Sequence, residues 1–75
     1  MDHFYYTVTI DSNRTLCLSP LTDRLISLSG QEISDTSGYF LYERSVRGDI
    51  VDVEVIAHIL SDEGAGRLRQ VFNMT

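Results

Sequence analysis

The side chains able to do chemistry in this sequence are few. Cys17 is the lone cysteine, and His3 and His58 are the two histidines. A nucleophilic thiol needs a base and an electropositive or helix-terminal setting to lower its pKa. Cys17 instead lies between Leu16 and Leu18, as a small apolar filler of a strand would. His58 is the plausible base. It could serve either Cys17 or Glu54, and a closed pocket around it would be the mark of a small enzyme. Without a pocket to exclude water, catalysis is not the expected role. One cysteine and two histidines cannot build a common four-ligand zinc site or an intramolecular disulfide, and the acid-rich calcium loop is missing. No glycine-rich phosphate loop or paired Cys-x-x-Cys occurs, so no cofactor and no metal are expected.

The carboxylates are more informative. Eleven acids oppose six bases, a net charge of −5, which repels nucleic-acid backbones and anionic membranes. Glu43, Asp52 and Glu54 fall in two segments that read as paired strands, with Glu43 expected opposite Asp52 and Glu54 on the same face. Opposed like charges destabilise a sheet. Arg14, Arg24 or a helix arginine could compensate within the chain, or a basic group of a partner could do so from outside. Arg47-Gly48-Asp49 spells an adhesion tripeptide, and Asn13-Arg14-Thr15 and Asn73-Met74-Thr75 match glycosylation sequons. The first reads as turn chemistry and the others as chance matches.

The elements that must hold these residues follow from periodicity. His3 to Ile10 is β-branched and aromatic, with Phe4, Tyr6, Val8 and Ile10 on one face. After a turn at Asp11–Arg14, Thr15 to Leu18 returns. Pairing Ile10 with Leu16 and Val8 with Leu18 matches apolar positions across a loop of about three residues. Arg24 to Leu28 reads as a short third strand, or else as the end of a helical turn stopped by Gly30. Tyr39–Arg44 and Ile50–Ile59 form a second hairpin. A turn centred on Arg47-Gly48 sets Phe40 opposite Val55 and Tyr42 opposite Val53. Ser61 is an N-cap followed by acids, opening a helix to about Phe72 whose stripe is Ala65, Leu68, Val71 and Phe72.

The chain of 75 residues is 43% apolar and 23% charged, proportions that fold but leave room for a single domain of low stability. The expectation is an α+β fold: an antiparallel sheet of four to five strands in two hairpins, with one C-terminal helix on one face. That helix covers a single face. Tyr39, Leu41, Ile56 and Leu60, joined by Tyr5, are then expected on the opposite one, unless residues 20–35 fold across it. An exposed patch of this kind marks an interaction surface. The functional expectation is a small acidic module that binds another protein or a second copy of itself as a homodimer, with Tyr39, Leu41, Ile56 and Leu60 as anchors and Glu43, Asp52 and Glu54 at the rim. The alternative is a phage-type acidic inhibitor that mimics nucleic acid. No apolar run is long enough for a membrane helix, and Met1-Asp2-His3 lacks a basic secretory start, so a cytoplasmic location is expected. All six bases are arginine, a bias that points to a GC-rich bacterial or phage genome.

Overall fold

The computed structural model describes residues 5–75. Four strands and two helices follow in the order β1 (Tyr6–Thr9), β2 (Arg14–Ser19), α1 (Asp23–Ser29), β3 (Tyr39–Arg47), β4 (Ile50–Ile59) and α2 (Asp62–Val71). The strands form one antiparallel sheet in sequence order, β1-β2-β3-β4, an α+β arrangement. The positions expected for His3 and Phe4 in the first strand lie outside the described residues.

Both hairpins sit two residues away from the expected register. Val8 faces Leu16 and Tyr6 faces Leu18, and the pairing ends at Thr9 and Thr15, leaving five residues, 10–14, between the partners. Asp11 builds this connection: its Oδ1 accepts from the amides of Asn13 and Arg14, each at 2.9 Å, a local side-chain turn that aspartate favours. The amides of Ile10 and Asp11 both reach the carbonyl of Arg14. Neither Asn13 nor Arg14 adopts a positive φ.

In the second hairpin Arg47 pairs with Ile50, so the turn is Gly48-Asp49 and Tyr42 faces Val55. Gly48 has φ of 59°, the conformation required at the first central position of a two-residue hairpin turn with glycine there. Between Leu41 and Tyr42 the register slips, leaving Ile56 as an extra residue of β4. Phe40 therefore faces His58, and the two rings stack with centroids 4.2 Å apart.

The largest departure is at Arg24–Leu28, which is helical rather than a strand. The side chain of Thr22 caps its start by accepting from the Leu25 amide, and Gly30 ends it in the left-handed region. Leu21, Leu25 and Leu28 recur at helical spacing and, with Ile33, press on Cys17, Phe40, Tyr42 and Val53. A strand would have split these leucines between two faces. Residues 21–33 thus cover one face of the sheet.

Helix α2 covers part of the other. Ser61 caps it, accepting from the Gly64 amide at 3.0 Å. Of the expected stripe, Ala65 is buried and Leu68 half-buried, but Val71 is 75% exposed. At its end Asn73 takes φ of 58°. Asn73 N then bonds to Gln70 O and Met74 N to Arg69 O, the paired bonds of a helix terminated by a left-handed residue. This reversal tucks Met74 among Leu18, Leu41 and Ala65. Thr75 and Thr7 then exchange backbone bonds of 3.1 Å in both directions.

Candidate functional site

The expected apolar anchors do not share an uncovered face. Leu41 is 7% exposed and packs beneath α2 with Ala65 and Met74. Tyr39 is half-buried on the same side, and its hydroxyl donates to Asp62 at 2.6 Å. Tyr39 and Leu41 were expected opposite the C-terminal helix. They lie under it because strand alternation places Tyr39, Leu41 and Glu43 on one face and Phe40 and Tyr42 on the other, and α1 claims the second. Ile56 and Leu60 are exposed, at the β4 bulge and just after β4. Tyr5 lies on the α1 side, its hydroxyl 3.9 Å from the Cys17 sulfur.

The three carboxylates do converge. Glu43 and Glu54 are directly opposite each other, while Asp52 faces Ser45, a correction to the expected Glu43–Asp52 pair that follows from the shifted turn. All three side chains line an open cavity of about 430 Å³ together with Ser29, Gln31, Ser45 and Val53. Helix α2 packs over the Leu18–Leu41 end of this face and leaves the hairpin end open. An adjoining cavity of about 350 Å³ shares Glu43 and Ser45 and adds Asp11, Asn13, Arg14 and Arg47.

Arg14 is the counter-ion of this surface. Its Nε lies 2.7 Å from Asp11 Oδ2 and its Nη1 3.5 Å from Glu43 Oε1. The backbone bond from Asn13, followed by the Arg14 guanidinium, holds the Asp11 carboxyl below the usual carboxylate range, and Asp11 in turn raises the pKa of Arg14. The better bond belongs to Asp11, so Glu43 and Glu54 remain poorly neutralised. No three His, Cys, Asp or Glu side chains among the described residues are placed to hold a metal ion.

The residues weighed for nucleophilic or acid-base chemistry are not assembled together. His58 Nε2 bonds to the Ser37 carbonyl at 2.6 Å and its ring lies on Phe40. Cys17 is fully buried, and burial pushes its thiol pKa up, the reverse of what a nucleophile requires. Arg47-Gly48-Asp49 forms the end of the β3–β4 hairpin.

Two features of the surface escaped the periodicity argument. The Gln31 side-chain oxygen accepts from the Val55 amide of the outer strand at 2.9 Å. A guanidinium contact also forms across the α2 face, with Arg69 4.7 Å from the centroid of Tyr6. No short-range pattern announces either one.

No helix of the described residues is long and apolar enough to cross a membrane. No family model matches the sequence, and neither the curated proteins nor the solved structures yield a significant match.

Proposed function

We propose that this domain is an acidic protein-binding module that engages its partner through the β3–β4 hairpin. The observation that carries this reading is the open cavity where Glu43, Asp52 and Glu54 meet beside the outer strand. Directly opposed glutamates destabilise a sheet, and Arg14, which reaches Glu43 at 3.5 Å, is shared with Asp11. A cationic group from another protein would relieve that repulsion. Ile50, Ile56 and Leu60 are 63%, 55% and 74% exposed along and just beyond the same strand, so apolar contact accompanies the charge.

A homodimer built on an uncovered sheet face loses its basis, since residues 21–33 occupy that face. A different protein, rather than a second copy docked on that face, is the partner of this reading. A nucleic-acid mimic is less well supported, because Arg14 and Arg47 interrupt the acidic surface in the adjoining cavity.

The test is affinity capture from a lysate of the source cells with the wild-type chain and with a Glu43→Arg/Glu54→Arg variant of unchanged circular dichroism. Binding to the wild type alone, weakened but not abolished by salt, supports the reading. Capture that is indifferent to the variant overturns it. Complete collapse at moderate salt, with a nucleic-acid-binding protein captured, would favour the mimic instead.

A further inference from the structure

Helix α1 packs over Cys17, Phe40 and Tyr42 and leaves a cleft of about 280 Å³ between itself and the hairpin end of the sheet. Its apolar walls are Leu25 and Leu28 of the helix and the cross-strand pair Val46 and Val51. Arg24 from the helix, Arg44 from β3 and Tyr5 complete the lining. Apolar walls with a few convergent polar groups are the usual form of a small-molecule site.

The two guanidiniums set this cleft apart. The chain carries six bases against eleven acids, yet two of the six meet here, and among the described residues no carboxylate lines the cleft. The ion pairs among those residues are Arg14 with Asp11 and Arg14 with Glu43, so neither Arg24 nor Arg44 is spent on an internal acid. The Tyr5 hydroxyl has the Cys17 sulfur at 3.9 Å, a weak contact that leaves it able to donate. Burial raises the pKa of both Tyr5 and Tyr42, and the Arg44 charge opposes that rise in each. Its positive field therefore reaches the floor of the cleft.

We infer that this cleft binds a small carboxylic acid with an apolar body, the carboxylate held between Arg24 and Arg44 and the body resting on Leu25, Leu28, Val46 and Val51. The planar guanidinium fork matches a carboxylate, and the apolar walls disfavour a heavily hydrated anion such as free phosphate. A cavity of roughly 150 Å³ holds benzene, so there is room for one ring and a short acid-bearing chain. Arg44 and Val46 alternate along β3 with Glu43 and Ser45, which puts this cleft and the acidic surface on opposite faces of the sheet. The inference stands apart from the proposed protein-binding surface, and either can fail alone.

The experiment is titration of the full chain with hydrocinnamate, its uncharged amide and inorganic phosphate, followed by backbone amide chemical shifts. Hydrocinnamate is expected to move Leu25, Arg44, Val46 and Val51 with a Kd on the order of 1 mM or below. The amide and phosphate should each bind at least about tenfold more weakly. Arg24→Gln and Arg44→Gln, both at exposed positions, should each weaken hydrocinnamate at least about tenfold and leave the rest of the spectrum in place. Equal binding of the amide, the absence of saturable shifts at these residues, or shifts centred on Arg14 and Arg47 instead would overturn the inference. So would wild-type affinity retained in both arginine variants.

Discussion

At the residue scale the most constrained polar contact lies between Tyr42 and Ser19. Both are buried, and their hydroxyl oxygens are 2.8 Å apart. Ser19 spends its proton on the Pro20 carbonyl at 3.0 Å, so Tyr42 is the donor and Ser19 the acceptor. Deleting the donor leaves Ser19 still bonded, whereas deleting the acceptor strands a buried hydroxyl. Tyr42→Phe should therefore cost about 1 kcal/mol and Ser19→Ala about 1–3 kcal/mol, with the double variant less damaged than the sum. Urea unfolding measures all three. Burial pushes the Tyr42 pKa from 10.0 up to about 12. The folded state holds the proton more tightly than the unfolded chain, so this contribution is complete below pH 10.0 and is lost as pH rises to about 12. The difference amounts to about 2–3 kcal/mol. Tyr42→Phe should flatten that alkaline fall, and an unchanged fall in the variant would show that another group is responsible.

At the scale of elements, turn chemistry sets what alternation leaves open. A pattern of period two settles which side chains share a face, and it is equally satisfied by registers that differ by two residues. Each hairpin is displaced by that amount, the first by the Asp11 turn and the second by Gly48-Asp49. Glu43 consequently meets Glu54 rather than Asp52, although all three still share one face. The α1 segment shows a different competition. Leu25 to Leu28 alone suits a strand, and the helical stripe emerges only when Leu21 is included with the Thr22 cap and the Gly30 stop. Gly38 marks a tighter constraint. Its φ is 74°, and a Cβ there would lie 2.7 Å from the Ile59 carbonyl, whereas a Cβ at Gly48 meets nothing within 4 Å. Gly48→Ala should cost about 1–2 kcal/mol for the left-handed backbone alone. Gly38→Ala should exceed it by at least about 1–2 kcal/mol, because backbone has to move. Equal midpoints for the two variants in thermal unfolding would refute this account of the loop.

For the whole molecule, two thin layers rest on one small sheet, and the core depends on segments far apart in the chain. Met74 is 3% exposed and joins Leu18, Leu41 and Ala65. Met74→Ala should cost about 2–5 kcal/mol, lowering Tm by on the order of 10 °C or more in a chain of this size. Val71→Ala, at a position 75% exposed, should stay within about 0.5 kcal/mol. Calorimetry on both variants checks whether the reversal at Asn73 closes the core.

By itself the sequence determined the fold class, the two hairpins, the α2 boundaries and the grouping of Glu43, Asp52 and Glu54 on one face. These follow from local periodicity, capping and strand alternation, which act over a few residues. Only the tertiary structure decided that residues 21–33 cover one face and α2 part of the other, and that Leu41 is buried while Ile56 is exposed. Those outcomes depend on which apolar surfaces meet across the chain, and hydrophobic burial is non-directional. An amphipathic segment carries no mark of the sheet face it will cover.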